Sequence, residues 1–480
     1  MNTTASIELK DIQGIILRGY GNLRAARFFL LCIEDRASAK RWLAKIVGDI
    51  TAGKEKPSRK AINVAFTLSG LNALALSAAS LESFSREFQE GMVTDHRMRI
   101  LGDHGSSDPV SWDWGGPGKD RIDVFMLVYA ENNQELDDVS RTLKEQFAEF
   151  DLSIVRVLET HEIQHRKEHF GFHDGIAQPG ISGMTSGQKI HPDNIVASGE
   201  FILGYPNQYD KYPDSPIVSS REDPGGILPN ATDGSGQKDF GRNGSYLVFR
   251  QLSQNVPAFW KFVDDAAKGP NGASNIQARI KLASKMVGRW PSGTPLVLSA
   301  DQDNPNQEER NNFMYAKRDP DGNRCPIGSH IRRSNPRDSM EPDPESSLTV
   351  ANRHRILRRG RSYGTPIFEM MTQNPLPDAE DSANERGLYF ICFNESISRQ
   401  FEFIQQTWVN NPKFEGLYND PDPITGDQEP GEDGSLGAFT MQASPIRRRV
   451  NDVPRFVQVR GGAYFFMPGI RALRYLASLP

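Results

Sequence analysis

The sequence predicts an α+β fold made of two ferredoxin-like halves. Three observations predict it. Between residues 26 and 158, apolar runs of strand length alternate with helical stretches in the order strand, helix, strand, strand, helix, strand. A long Pro/Gly/Asp-rich stretch, Tyr205 to Gly244, then interrupts the pattern. Strand and helix signals return after it.

Each element follows from its residues. Ala26 to Ile33 (ARFFLLCI) is a continuous apolar run, the pattern of a buried strand. Ser38 to Val47 has helical spacing, and Ala61 to Leu68 (AINVAFTL) is again strand-like. Asp108 to Lys119 is turn-rich and carries Trp112 and Trp114. Arg121 to Tyr129 (RIDVFMLVY) predicts a strand, Asn133 to Phe150 an amphipathic helix, and Leu152 to Leu158 a strand. After the interruption, Gly244 to Arg250 (GSYLVFR) predicts a strand, and Val256 to Ala267 and Ala273 to Val287 two helices. Gly387 to Phe393 (GLYFICF) reads as a strand and Ser396 to Val409 as a helix. Arg455 to Phe466 reads as a strand whose Gly461-Gly462 pair suggests a bulge. The chain therefore divides into residues 1–200, a loop-rich connection at 201–243, and residues 244–480.

With 480 residues, 37% hydrophobic and 24% charged, the chain can bury a large core. A net charge of -5 and a pI of about 6.1 argue against nucleic acid or an anionic membrane as the main partner. The three cysteines, Cys32, Cys325 and Cys392, form neither a disulfide framework nor a zinc knuckle, and free thiols fit a reducing compartment. The opening MNTTASIELKDIQGIILRGYG lacks the basic-then-apolar order of a secretory signal. No run of about 18 apolar residues occurs. A cytoplasmic protein is expected.

Asp321 to Gly364 carries the richest chemistry. His330 sits between a Cys-Pro-Ile-Gly turn and Ile331-Arg332-Arg333; His354, Arg355, Arg358, Arg359 and Arg361 follow an acidic loop, Asp338 to Ser347. One neutral-pH metal ligand between two cationic clusters suits an anionic, metal-bearing cofactor such as haem. The bland alternative is a solvated histidine with arginines paired to Asp338 and Glu341. A second stretch, Glu168 to Gly180, contains Gly171-Phe172-His173-Asp174-Gly175. Asp-Gly is a strong turn signal, and a turn can also aim a carboxylate into a cavity while glycine lets backbone approach a flat ligand. A competing pattern is His161-Glu162-Ile163-Gln164-His165, continued by His169 and His173. On a helix these histidines would share a face, as in a zinc hydrolase. Against that stand the strand-like Leu152 to Leu158 and Gly171, and the glycine and histidine of the longer zinc motif are missing. Trp112, Trp114, Trp260, Trp290 and Trp408 read as core, and the acidic, Gly-rich loop 416–440 as solvated.

Gly171-Phe172-His173-Asp174-Gly175 is similar to the GFxDG motif of the dye-decolourising peroxidases. Gly328 to Arg337 (GSHIRRSNPR) resembles their proximal-histidine segment, and Ile356 to Gly364 (ILRRGRSYG) their distal-arginine segment. Phe240 to Trp260, Gly387 to Trp408 and Arg460 to Ala477 are similar too, so the resemblance runs in order over nearly the whole chain. It implies a dimeric α+β barrel-like fold of two ferredoxin-like halves, with haem b (iron protoporphyrin IX) held by the C-terminal half. It implies His330 as the iron ligand, Asp174 and Arg358 facing hydrogen peroxide, Arg358 and Arg333 as cofactor contacts, and Leu388 and Phe390 as apolar groups keeping the site dry. Arg355, Arg359 and Arg361 crowd the arginine register, and Gly360 stands where some members have asparagine. Glu402 is the expected carboxylate on the second nitrogen of His330. The implied activity is peroxide-driven oxidation of phenolic, dye-like or other aromatic donors, with a homo-oligomer left open. A haem carrier without turnover is the alternative.

Overall fold

The computed structural model describes residues 6–163, 166–184, 190–307, 310–367, 385–431 and 434–480. In the first half, β1 (Ala25–Ile33), α1 (Arg36–Ile46), β2 (Lys60–Phe66), β3 (Val124–Ala130), α2 (Asn133–Glu149) and β4 (Leu152–Glu159) follow the expected order. Asp35 and Asn132 start the two helices by accepting the N–H of Ser38 and Glu135. The second half holds β5 (Ser245–Gln254), α3 (Val256–Ala267), α4 (Ile276–Val287), α5 (His330–Ser334), α6 (Pro344–Arg353), β6 (Leu357–Arg358), β7 (Arg361–Tyr363) and β8 (Gly387–Asn394). It ends with the hairpin β9 (Gly437–Met441) and β10 (Arg448–Val453), then β11 (Val457–Met467) and α7 (Ile470–Ser478).

The main sheet runs β6–β8–β5–β11–β2–β3–β1–β4, with β7 also paired to β8. With the short pair β6 and β7 counted as one strand, each half has the order second, third, first, fourth, and all these pairings are antiparallel. That is the ferredoxin-like arrangement twice over. Within the sheet order the halves join where β11 and β2 share the registered pair Phe466 and Phe66.

The sheet is curled. Phe28 on β1 meets Tyr389 on β8 at 6.0 Å and Phe249 on β5 at 6.3 Å, across strands that separate them in the sheet order. The enclosed face packs Phe28, Phe125, Tyr129, Phe249 and Phe465. The other face carries Phe29, Val64, Phe66, Met126 and Val128 under Trp42, Leu43 and Phe147 of the helices. Each phenylalanine buried this way contributes about 1.5–3 kcal/mol. With both faces covered, β3 is buried along its whole length, which is why its sequence is continuously apolar.

The bulge in β11 is present, between Val459 and Gly461. Its glycines have a steric cause: a Cβ on Gly461 would lie 2.4 Å from the Trp114 indole, and one on Gly462 2.6 Å from Met92 Sδ. All five tryptophans read as core are buried. Two expectations change. The helix at Ser396 to Val409 is wound wider, as π-type turns at Ser398–Glu402 and Ile404–Val409. The loop 416–440 is not simply solvated: Leu417, Asp420, Asp422 and Gln428 are buried, because the loop folds back beside α5. No helix among the described residues is long and apolar enough to cross a membrane.

Candidate active site

A cavity of about 1100 Å³ lies on the helix-covered face of the second-half strands. Leu388 and Phe390 of β8, Leu252 of β5 and Val457 and Val459 of β11 make its apolar sheet wall. His330, Ile424 and Thr425 line another wall. Asp174, Gln178 and Arg358 line it as well.

His330 opens α5. Ser329 fixes the turn before it, donating its hydroxyl to the Lys285 carbonyl at 2.6 Å and accepting the N–H groups of Arg332 and Arg333. The His330 Nδ1 lies 2.9 Å from Asp422 Oδ2. Asp422 Oδ1 in turn accepts the N–H of Ile424 at 2.8 Å and of Thr425 at 2.9 Å. A carboxylate at Nδ1 makes that nitrogen the proton carrier and leaves Nε2 free to take a metal. Burial alone would raise the Asp422 carboxyl, but the His330 charge and hydrogen bond outweigh it and hold it below the usual range. The same pair raises His330 against its own burial.

Asp174 comes from the segment between the halves. Its hairpin closes through an isolated bridge between Lys167 and His173, with the Asp174 N–H donated to the Arg166 carbonyl at 2.9 Å. Gly171 and Gly175 have φ of 97° and 78°, a conformation that favours glycine on each side of the turn. Arg358 sits on β6, which pairs it with Cys392 of β8. Its Nη1 lies 3.2 Å from Asp174 Oδ1. The Gln178 side chain accepts the Arg358 N–H at 3.1 Å and ties the two segments together. Desolvation inside the cavity would raise Asp174, and Arg358 more than reverses it, so the carboxyl is held below the ordinary range.

Of the expected site residues, His330, Asp174, Arg358, Leu388 and Phe390 line this one cavity. Arg333 does not line it. Its guanidinium is buried and turned the other way, donating to the carbonyls of Gly328, Trp408, Asn411 and Asp420 over the Phe414 ring. It ties down the backbone around α5 instead of meeting a ligand. Glu402 is not the partner of His330: its oxygens accept from Arg97 at 2.7 Å and from the Tyr464 hydroxyl at 2.8 Å. Asp422 holds that position, and nothing in the loop's composition marked it as buried.

The described residues of the zinc pattern do not gather on one face. His165 lies outside the described residues; Lys167 to His173 is a hairpin, so no helical face collects the others. His169 is buried with Nε2 at 2.7 Å from the Tyr363 carbonyl. Among the described residues no group of three or more His, Cys, Asp or Glu is placed to hold a metal ion.

Two buried guanidiniums reveal what the cavity suits. Arg289 Nη2 and Arg355 Nη2 have no hydrogen-bond partner among the described residues, and both side chains line the cavity. Burial, reinforced by Arg337 for both, pushes Arg289 down to about 10 and Arg355 down to about 9. An unsatisfied buried cation is costly unless an anion meets it. An apolar sheet wall, one imidazole with Nε2 free and two spare cations fit an iron porphyrin with its two propionates.

Fold and site together define a peroxidase of the α+β barrel class. Residues 11–162 match the family model for the DyP dimeric alpha+beta barrel domain. The chain is 30% identical over 505 residues to Peroxidase 2 of Mycetinis scorodonius, covering 99% of this chain and 89% of that one. A fungal DyP-type peroxidase from Auricularia auricula-judae superposes with a TM-score of 0.76 at 28% identity, over 98% of this chain and 100% of that one. A dye-decolorizing peroxidase solved in complex with 2,6-dimethoxyphenol gives 0.76 at 25%, with the same coverage. The chain belongs to the dye-decolourising peroxidase family and is a haem-dependent oxidoreductase.

Proposed function

We propose that this enzyme reduces hydrogen peroxide with electrons from phenolic or dye-like aromatic donors, on haem b held by residues 244–480. The observation that carries the reading is the shared cavity: an imidazole tied to a carboxylate, and a separate carboxylate–guanidinium pair, open onto one lumen. The relative solved with 2,6-dimethoxyphenol supports a phenolic donor.

His330 would hold the iron through Nε2, with Asp422 keeping the ring oriented and electron-rich. Arg289 and Arg355 would hold the propionates. When bound, haem supplies the electrons that cleave the O–O bond and stores the oxidising power for the donor. Asp174 takes the proton from one peroxide oxygen and returns it to the other, which leaves as water. Arg358 stabilises the negative charge that builds on the oxygens, and keeps Asp174 ionised and ready to accept. Leu388 and Phe390 exclude bulk water from the reacting oxygens. Over a full turn, two donors each lose one electron and one proton, and one peroxide becomes two waters. Three free cysteines, two of them buried, support a cytoplasmic location.

The test is His330→Ala. The variant should lose the Soret spectrum of an imidazole-ligated haem and regain it on adding free imidazole. A Soret spectrum identical to wild type without added imidazole would remove His330 from its role.

A further inference from the structure

We propose that Glu168 is the positioning residue for the peroxide-side carboxylate: its half-buried carboxyl group braces the hairpin that aims Asp174 at Arg358. This deepens the proposed function and rests on its assignment of Asp174.

The geometry is specific. Glu168 Oε2 accepts the Phe170 N–H at 2.8 Å, and Oε1 accepts the Phe172 N–H at 2.9 Å. The Gln254 amide, at the end of β5, donates to Oε2 at 2.7 Å. The Glu168 N–H is donated to the Phe172 carbonyl at 2.9 Å, so backbone and side chain of one residue close the same loop. Phe170 and Phe172 then seat against Phe259 and Trp260 of α3, at 4.5 and 6.5 Å between ring centres. The hairpin is thereby clamped to a strand and a helix of the second half, and Asp174 follows two residues after Phe172. Among the described residues the Phe170 and Phe172 amides have no other acceptor, so without the carboxylate two buried donors would go unmet. Burial raises this carboxyl to about 7, with the same three donors pulling it back. A neutral amide cannot replace it, since its NH2 would face a backbone N–H.

A misplacement near 1 Å at a reacting group can cost about 100-fold. Glu168→Ala should therefore slow the reaction of the haem-loaded enzyme with peroxide by about 10–100-fold, with little change in haem affinity of the apoprotein. The pH midpoint of the reaction should rise toward an ordinary carboxyl value, because Asp174 would drift from Arg358; a role confined to stability would leave that midpoint in place. In a double-mutant cycle with Asp174→Asn, the double variant should be no slower than Asp174→Asn alone. Hydrogen exchange on the wild-type apoprotein gives a check free of variants: the Phe170 and Phe172 amides should be protected. Freely exchanging amides, an unmoved rate and pH midpoint in Glu168→Ala, or fully multiplicative effects would each overturn the proposal. If Asp174→Asn itself reacts at the wild-type rate, the assignment of Asp174 falls, and this inference with it. If Asp174→Asn is slow and Glu168→Ala is not, Glu168 alone is refuted.

Discussion

Replacing Asp422 by asparagine isolates what the carboxylate does for the iron. Asp422 is 0% exposed, and Oδ2 sits 2.9 Å from His330 Nδ1 while Oδ1 accepts two backbone N–H groups. Asparagine fits the same space and can keep Oδ1 as acceptor, so the loop should hold; the negative charge behind the imidazole is what goes. Removing the partner of a metal-bound imidazole typically costs about 10–100-fold in metal affinity or activity. At about 1.4 kcal/mol per decade, that is roughly 1.4–2.8 kcal/mol. The ferric state carries one more positive charge than the ferrous state and depends more on the carboxylate. If the whole loss falls on the ferric state, the iron potential rises by about 60–120 mV, at about 59 mV per tenfold for one electron. A spectroelectrochemical titration of wild type and Asp422→Asn, each with its Soret band intact, measures this directly. An unmoved potential would show that the short contact does not polarise the imidazole, and the argument from geometry to donor strength would fail.

Two further outcomes are expected. Arg358→Leu removes the cation 3.2 Å from Asp174 and should slow the stopped-flow reaction with peroxide by about 10²–10³-fold, the usual loss for a charge-stabilising donor; a rate within a factor of a few of wild type would discard its role. Glu395, 8% exposed, is pushed from its ordinary 4.5 up to about 7, chiefly by burial and despite Arg399. A carboxyl raised in the folded state supports folding fully below its ordinary value and loses that support as pH rises through about 7. Glu395→Gln, neutral at every pH, should therefore flatten the fall in urea stability across that window by at most about 3–4 kcal/mol, at 1.36 kcal/mol per unit; curves that stay parallel would contradict the burial argument.

The fold was legible because strand and helix periods are local. β1, β3 and α2 carry their period in a few consecutive residues, and the structure keeps them within a few positions of the expected bounds. His330, Asp174 and Arg358 were legible from short motifs, since each depends on its own turn or strand. What depends on distant packing was not. Asp422 reaches His330 from a loop whose acidic, glycine-rich composition suggests solvent, and only the fold buries it. Arg333 looked like a ligand contact because its neighbours are cationic; its direction is set by the carbonyls of Trp408, Asn411 and Asp420. Glu402 lies on the expected segment, but Arg97 and Tyr464 claim it. The Gly461-Gly462 bulge was visible, while its cause, an indole from residue 114, was not.

The two sides of the cavity come from different stretches of chain. Asp174, the proposed peroxide-side carboxylate, belongs to the hairpin that follows the first half, and His330, the proposed iron ligand, lies beyond α4 in the second. During synthesis the ribosome releases Asp174 long before His330, so neither nascent half owns a complete reaction centre. An unfinished chain, or one cut within 201–243, would hold reactive iron without its acid, or the acid without iron. The proposed reaction centre is therefore complete only when both stretches of chain have folded against each other.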